Sequence, residues 1–335
     1  MLVVTLETAF TRLVGCTVPI QLAGMGSILS PELAAAVSEA GALGQITFAG
    51  IPPEIVTQRL DSIRSLTSKP FGVNLLIPYL DDPELVDLVA QQARVVDFFW
   101  GDPDPSLFDR VHDAGALASW QVGSVEDAVE AESAGCDFII AQGNEAGGHI
   151  RGKLGLMPLL ADVLDKVSVP VLGAGGIGSP RSVAAVLAAG AAGVRIGTRF
   201  IAAQESNAHP DYVKAVIAAR GEDSVRTSLF HVNCPLCPST HGVLRSAIEA
   251  AQALDEDVVG EVSIGGERHP IHHFQGMPPS KAVSGAITAM ACYAGQSVGS
   301  VKRVQPAADI VAELMSLIDS RSKSEVGATG QSAGS

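Results

Sequence analysis

Short apolar runs alternate with helical stretches along most of the chain. Each run is rich in Val, Ile, Leu or Phe and is bounded by Gly, Pro or a polar cluster, which is the pattern of a buried strand. Most segments between the runs are rich in Ala and Leu and have helical periodicity. The predicted strands are 20–24, 43–47, 71–76, 95–100, 117–122, 137–142, 170–174 and 193–198.

The helical stretches carry start and stop signals. Ser or Asp followed by Pro begins several of them, as at Ser30-Pro31, because the side-chain oxygen accepts an orphan N–H and Pro fits the first turn. A Gly such as Gly41 or Gly190 follows the last turn. The predicted helices are 31–40, 53–66, 83–93, 105–114, 124–134, 156–166 and 180–189.

The predicted strands are continuous apolar runs rather than alternating ones. Such runs indicate burial on both faces, as in a parallel sheet covered by helices. Eight β-α units in succession fit a TIM (β/α)8 barrel better than an open doubly wound sheet, which is the alternative that the pattern leaves open. We therefore predict an α/β protein with its barrel in residues 1–222.

The pattern changes after the eighth predicted strand. A helix is predicted at 209–220, but 223–280 is interpreted as an irregular insertion that forms a lid over one end of the barrel. Helical periodicity resumes at 281–293 and 306–318, which predicts C-terminal helices packed on the barrel within 281–320. The Ser- and Gly-rich tail, 322–335, is predicted to be disordered.

Composition and charge exclude several classes of protein. Hydrophobic residues make up 47% and charged residues 17%, the opposite of a disordered chain. The 22 basic residues are outnumbered by 36 acidic ones, which argues against a nucleic-acid partner. No apolar run reaches the roughly 18–20 residues that a membrane span needs, and no leader pattern begins the chain, so we expect a soluble, cytoplasmic protein. Five scattered cysteines do not suggest a disulfide framework.

Glycine-rich segments follow the last two predicted strands. In a parallel barrel the active site lies at the C-terminal ends of the strands. There the chain reads GAGGIGS (173–179) and RIGTR (195–199). Glycines let the backbone approach a phosphate and adopt positive φ, so two successive loops of this kind indicate a phosphate-bearing ligand rather than plain connections.

A histidine stands in the loop after the sixth predicted strand, in the sequence QGNEAGGHIRG (142–152). His149 follows a Gly-Gly pair at a strand end, in a segment with no helical face that could bury it. We therefore favour a functional role for His149 over that of a core histidine. An imidazole with its pKa near 6.5 is suited to proton transfer at neutral pH.

With these motifs, the chain resembles the nitronate monooxygenases, formerly called 2-nitropropane dioxygenases. FGVNLL, PIQLAGMGS and YAGQSVGSV add to the resemblance, which covers residues 18–318. It implies an FMN-dependent barrel that uses O2 to oxidise alkyl nitronates to a carbonyl compound and nitrite. It implies neutral nitroalkanes as a further substrate class. It also implies that His149 is the catalytic histidine, either as a base or as a group that orients the substrate.

The resemblance also implies the flavin contacts. Three residues, Ala23, Gly24 and Met25, are expected along the isoalloxazine ring. Gln121 is added because it stands at the end of the fifth predicted strand. The other expected contacts are Asn74, Gln142, Gly147, Gly148, Gly175, Gly176, Arg195, Ile196, Gly197 and Thr198.

A CxxC motif between two histidines departs from the family pattern. In FHVNCPLCPSTHGVLR (230–245), His231, Cys234, Cys237 and His241 have spacings that could hold zinc. The resemblance implies no metal there, and the neighbouring prolines are typical of a packed loop. We therefore favour a packed loop over a metal site, and the sequence leaves metal binding by these four residues open.

Three other functions compete with this interpretation. A FabK-type enoyl-acyl-carrier-protein reductase, which uses FMN and NAD(P)H, shares EAGGHI and GTRF, but Gln142 and AGQSVG are more similar to the monooxygenases. The net charge of −14 is also unsuited to an acidic carrier protein. The remaining two are a flavin-binding protein without turnover and an enzyme with a cysteine nucleophile; the latter is disfavoured because no Cys ends a predicted strand. The sequence leaves open the physiological substrate, the use of NAD(P)H and the oligomeric state, with a homodimer as one option.

Overall fold

The computed structural model describes residues 6–329, and its central feature is a closed barrel of parallel strands. Eight strands pair in a single sheet, and Gln21 at one edge bridges Leu43 at the other, which closes it. The predicted TIM (β/α)8 barrel is therefore confirmed. The first nine strands are β1 (Ile20–Leu22), β2 (Gly44–Phe48), β3 (Phe71–Leu76), β4 (Val95–Phe99), β5 (Leu117–Val122), β6 (Phe138–Gln142), β7 (Gly148–Ile150), β8 (Val171–Ala174) and β9 (Gly193–Ile196), of which β7 lies outside the barrel sheet.

The helices between the strands begin and end where the capping signals predict. Ser30 and Ser179 each accept an N–H from the first turn, and both Gly41 and Gly190 have positive φ. A short first helix was not predicted; its Phe10 ring packs against Phe138, with ring centroids 5.4 Å apart, and fills the N-terminal end of the barrel. The helices up to residue 218 are α1 (Ala9–Val14), α2 (Pro31–Glu39), α3 (Pro53–Leu66), α4 (Glu84–Ala90), α5 (Pro105–Asp113), α6 (Val125–Ala134), α7 (Leu156–Leu164), α8 (Pro180–Ala188) and α9 (Pro210–Ala218).

The interior of the barrel is apolar at one end and polar at the other. Near the N-terminal ends of the strands it is apolar, with Leu43, Val95, Leu117 and Phe138 packed together. Towards the C-terminal ends the buried side chains are polar, which is unusual for a core and directs attention to that end. The polar set comprises Gln21, Gln45, Asn74, Asp97, Ser119, Gln121, Gln142 and Arg195.

The chain after the barrel contains regular structure. Its elements are β10 (Ser224–Thr227), β11 (Thr240–Leu244), α10 (Arg245–Gln252), β12 (Val258–Ile264), β13 (Glu267–His272), β14 (Val283–Gly285) and α11 (Ala307–Thr329). Two small antiparallel sheets form, in the orders β10-β11-β7 and β13-β12-β14. The prediction that 223–280 is irregular is therefore wrong. Most residues of β12 and β13 are exposed, so these strands lack the apolar signal of the barrel strands.

One prediction for the C-terminal part is also wrong. The segment 281–293 is not a helix, because Gly285 has φ of 116° and its backbone packs against β12; a Cβ there would lie 2.4 Å from the Val259 carbonyl oxygen. The predicted disorder of 322–335 stays a prediction, since α11 is described to residue 329 and residues 330–335 lie outside the described part. Among the described residues, no helix is long and apolar enough to span a membrane.

Candidate active site

A buried ion pair lies at the centre of the polar layer. Asp97 Oδ1 and Arg195 Nη2 are 2.6 Å apart, and both side chains are almost fully buried. Arg195 also donates from Nη1 to Gln121 Oε1 at 2.7 Å and from Nε to Gln21 Oε1 at 3.2 Å. Arg195 and Gln121, both predicted as flavin contacts, are therefore held together by hydrogen bonds in the structure.

Asp97 also fixes Asn74, another predicted flavin contact. Asn74 Nδ2 donates to Asp97 Oδ2 at 2.7 Å, and Thr47 Oγ1 donates to Asn74 Oδ1 at 3.1 Å. A Cβ on Gly24 would lie 2.4 Å from Asn74 Oδ1, so Gly24 lies directly against this amide. Asp97 was missed from the sequence, although a carboxylate inside the apolar strand VVDFF is a visible signal.

The ends of β1 and β9 meet beside this layer. Ala23 N donates to the Ile196 carbonyl at 2.9 Å. A Cβ on Gly197 would lie 3.2 Å from Ala23 Cβ and 3.3 Å from Met25 Sδ. The Ile196 side chain is buried in the core formed with the surrounding helices, so only its backbone faces this region. The structure thus brings together Ala23, Met25 and Gly197, three of the residues expected to contact the flavin.

The two loops that follow β8 and β9 offer free backbone donors. Within residues 6–329, the amides of Gly176 and Gly197 donate no hydrogen bond inside the protein, whereas Gly175 follows the last residue pair of the β8–β9 ladder, Ala174 with Arg195. Gly175 and Gly176 have φ of 104° and 69°, which other residues adopt with strain. Because β8 and β9 are paired neighbours, these donors lie at one edge of the barrel. Half-buried N–H groups without partners fit a phosphate.

The C-terminal segment 294–298 completes this edge, a role that the sequence did not predict. Thr198 Oγ1 accepts a hydrogen bond from Gly295 N at 3.0 Å. A Cβ on Gly147 would lie 2.6 Å from Gly295 N, so the two backbones touch. The AGQSVG motif was used only for the family resemblance, but the structure shows why it contains glycine.

The loop before His149 is fixed from both sides. The Glu145 carboxylate accepts the Leu156 N–H, the first amide of α7, at 2.9 and 3.0 Å. Gln142 Nε2 donates to the His149 carbonyl at 3.0 Å, so the predicted flavin contact Gln142 also positions the histidine loop. Gly148 has φ of 70° and directs the chain into β7.

His149 is half-buried among aromatic rings and sulfur. Its ring centroid lies 4.3 Å from that of His241, 5.8 Å from Tyr293 and 5.9 Å from Trp100. Trp100 follows β4 with φ of 70°, a strained value for a non-glycine residue, and its role was not predicted. Burial, with a smaller effect of His241, lowers the pKa of His149 to about 3. The imidazole is therefore neutral at pH 7.

The CxxC motif adjoins His149 rather than standing apart. His149 Nε2 is 3.1 Å from Cys234 Sγ, and Cys234 Sγ is 2.7 Å from Cys237 Sγ. Cys237 Sγ is 3.7 Å from His241 Nε2. His231, the fourth residue of the predicted spacing, is exposed, with its Nδ1 close to the carbonyls of Ser228 and Leu229. We refer to His149, Cys234, Cys237 and His241 as the thiol–imidazole cluster.

Half-buried backbone amides at the C-terminal end of a parallel barrel, beside a buried polar layer, fit a class of enzyme that binds a phosphate-bearing cofactor such as a flavin. Comparison with known families agrees with this class. The family model described as nitronate monooxygenase matches residues 7–91 and 81–316. The chain therefore belongs to the nitronate monooxygenase family.

Individual relatives carry different names. A Rhodococcus jostii protein named (3aS,4S,5R,7aS)-5-hydroxy-7a-methyl-1-oxo-octahydro-1H-indene-4-carboxyl-CoA dehydrogenase is 40% identical over 217 residues, which are 65% of this chain and 61% of that protein. A probable nitronate monooxygenase of Staphylococcus aureus is 32% identical over 270 residues, with 67% of this chain and 76% of that protein covered. The chain thus spans about three fifths of the first relative's length.

Two solved structures are similar over almost their whole length. FabK from Thermotoga maritima has a TM-score of 0.76 at 29% identity and covers 96% of this chain and 99% of its own. A nitroalkane oxidase from Streptomyces ansochromogenes has a TM-score of 0.75 at 28% identity, with 94% and 100% covered. Both support the barrel fold and the flavin-dependent oxidoreductase class.

Proposed function

We propose that this protein uses FMN and O2 to oxidise alkyl nitronates to a carbonyl compound and nitrite. The observation that carries the choice of substrate is the 3.1 Å contact between His149 Nε2 and Cys234 Sγ inside the partly buried thiol–imidazole cluster. A ring nitrogen engaged in this way is poorly available for proton transfer. A nitronate is already an anion, so its oxidation requires no protein base.

The residues of the barrel end fit a flavin mononucleotide. We assign the phosphate to the free amides of Gly176 and Gly197, together with Gly175 and Thr198 beside them. Dianionic phosphate suits the two free, half-buried donors, since they have no partner within the described part of the protein. When bound, FMN supplies the redox chemistry, because no protein side chain accepts electrons from a nitronate and passes them to O2.

The polar layer and the first strand end would contact the ring system of the cofactor. Asn74 is oriented by Asp97 and lies against Gly24, so its amide is fixed before any ligand arrives. Preorganised dipoles require no rearrangement when charge changes nearby. We therefore propose that Ala23, Gly24, Met25 and Asn74 contact the flavin ring. Arg195 and Gln121 belong to the buried polar layer that supports these residues.

His149 is assigned the substrate-orienting role rather than that of a base. Its pKa, lowered to about 3 by burial, makes the neutral imidazole a weak proton acceptor at pH 7. The rings of Trp100 and Tyr293 both contact the imidazole edge-on and restrict the access of water. These residues hold the histidine loop as a fixed apolar surface against which a nitronate can bind.

A second candidate is oxidoreduction of a thioester. The observation that favours it is the 40% identity with a relative named as a carboxyl-CoA dehydrogenase. That chemistry requires a proton to leave or join the carbon beside the thioester carbonyl. A buried neutral His149 supports proton transfer poorly, so we rank this candidate second.

The test is to mix the FMN-loaded protein aerobically with propyl-2-nitronate and, separately, with NADPH. Rapid O2 uptake with matching nitrite release supports the proposal. Fast loss of flavin absorbance with NADPH, followed by turnover of an enoyl-CoA, would instead establish the thioester reaction. A matched preparation without FMN measures the spontaneous oxidation of the nitronate.

A further inference from the structure

The thiol–imidazole cluster is assembled by chain segments far apart in sequence. His149 lies on β7 and His241 on β11, and these two residues face each other in the antiparallel pairing of the strands. The turn before β11 brings Cys234 and Cys237 beside them. One ligand atom from each of the four residues lies within 4.8 Å of the others.

These atoms are of the type and spacing that a soft divalent metal requires. Two sulfurs and two imidazole nitrogens form a Cys2His2 set, the donor set of structural zinc sites. With Zn–S near about 2.3 Å and Zn–N near about 2.0–2.1 Å, the corners of a tetrahedron lie roughly 3.3–3.8 Å apart. The 3.7 Å between Cys237 and His241 lies in that range and the 3.1 Å between Cys234 and His149 lies just below it. The two sulfurs, 2.7 Å apart, must separate by about 1 Å when the ion enters.

The cysteines are not joined to each other. Both are free thiols, and their 2.7 Å separation exceeds the roughly 2.05 Å of a disulfide bond. His241 is fully buried and the other three are partly buried, so the donors are shielded but reachable by an ion. His231 has the right spacing in sequence but is exposed and directed at backbone carbonyls, so it is not part of the set.

We propose that His149, Cys234, Cys237 and His241 form a Zn2+ site that fastens the segment after the barrel to the barrel opening. Binding releases the two thiol protons and leaves a neutral centre, because two thiolates balance the charge of the ion. Four protein ligands leave no open position, which makes the site structural rather than catalytic. The metal also takes the Nε2 lone pair of His149, which agrees with a substrate that needs no base.

The test uses the full-length protein with FMN, treated with EDTA and a phosphine reductant and then given Co2+ as a spectroscopic substitute for Zn2+. One Co2+ per chain should bind and give tetrahedral thiolate ligand-field bands at longer wavelengths than the flavin absorbs. Excess Zn2+ should remove the bands. Elemental analysis of protein purified with Zn2+ should give one zinc per chain.

Variants identify the ligands. The double variant Cys234→Ser/Cys237→Ser should abolish Co2+ binding, and His149→Asn should weaken Co2+ binding at least tenfold. The control His231→Asn, in the same loop as the cysteines, should leave Co2+ binding unchanged. Absence of stoichiometric Co2+ binding to the reduced wild-type protein overturns the proposal, as does binding that survives the double cysteine variant. A Cys234–Cys237 disulfide in the purified protein, with no metal taken up after reduction, also overturns it.

Cysteine alkylation of the wild-type protein is a second test, which needs no variant and therefore cannot fail because a variant does not fold. Zn2+ should protect Cys234 and Cys237 from alkylation and leave the rate at Cys16, which lies at the opposite end of the barrel, unchanged. Equal alkylation of Cys234 and Cys237 with and without Zn2+ contradicts the site. Both readouts are independent of turnover, so failure of the proposed nitronate reaction would leave them unaffected.

Discussion

Asp97 and Arg195 form an ion pair of 2.6 Å inside the barrel, with both side chains almost fully removed from water. The pair links strands β4 and β9 and, through Asp97, holds Asn74 in place. Removal of one partner leaves the other charge buried without compensation, which is strongly destabilising. The pair therefore couples the stability of the barrel to the shape of the flavin site.

We expect Asp97→Asn to lower the free energy of unfolding of the FMN-free protein by about 3–5 kcal/mol. Urea denaturation followed by circular dichroism measures this. The matched control is Asp162→Asn, since Asp162 is exposed on α7 and should change stability by less than about 0.5 kcal/mol. Similar losses for both variants would show that the buried pair has no special role.

The proposed phosphate site, at the loops that follow β8 and β9, predicts a loss of cofactor affinity in Gly176→Ala. The residue has φ of 69°, and an added Cβ would lie 3.2 Å from Glu145 Cβ. The matched control is Gly265→Ala, because Gly265 has φ of 60° with nothing within 4 Å of an added Cβ. Both should lose about 1–2 kcal/mol of stability from the left-handed backbone.

Only Gly176→Ala should also raise the Kd for FMN, by roughly tenfold, as the loss of one good contact would. Fluorescence titration of the FMN-free proteins measures it. An unchanged Kd in Gly176→Ala, or an equal rise in Gly265→Ala, would count against the assigned phosphate site.

His149→Asn distinguishes an orienting residue from a base. If His149 only positions the substrate, kcat/KM should fall by the same factor, about tenfold, on propyl-2-nitronate and on neutral 2-nitropropane. Oxygen-electrode assays at one pH provide both values, with His231→Asn as the control that should retain wild-type rates. A loss confined to the neutral nitroalkane would assign the base role to His149 and contradict our account.

Buried Cys292 predicts a fall in stability at alkaline pH. Burial raises the pKa of its thiol from 9.0 to about 12 in the folded state. The folded protein therefore keeps a proton that the unfolded chain releases, so the contribution to stability is complete below pH 9 and declines as the pH rises towards 12. At pH 10 the loss should be about 1.4 kcal/mol.

The Cys292→Ala variant isolates this effect from other groups that titrate at high pH. The stability difference between wild type and variant should be constant up to pH 8 and shrink by that amount at pH 10. A difference that does not change over this range would show that Cys292 titrates normally in the folded protein.

Sequence patterns predicted the barrel well because its strands and helices are defined by local signals. Continuous apolar runs predict buried strands. Ser-Pro pairs and glycines predict where helices begin and end, and none of these signals depends on contacts with distant residues. The glycine loops at 175–176 and 197 were found for the same reason, since positive φ and close approach leave a trace at the residue itself.

The site was predicted less completely because much of it depends on long-range pairing. The contact of His149 with Cys234 follows from the alignment of β7 with β11, which no local pattern encodes. The spacing of the CxxC motif suggested His231 as a neighbour, but that ring is exposed and lies against the carbonyls of Ser228 and Leu229 in its own loop. The polar interior was visible only as single residues such as Asp97 within otherwise apolar strands.

The proposed function requires the FMN-loaded protein to oxidise a nitronate without any pyridine nucleotide. The most direct test is anaerobic mixing of the FMN-loaded protein with propyl-2-nitronate while the visible flavin absorbance is recorded, with no pyridine nucleotide present. Our account predicts rapid loss of the absorbance and its return when O2 is admitted. Absorbance that stays constant with the nitronate but disappears with NADPH would contradict it.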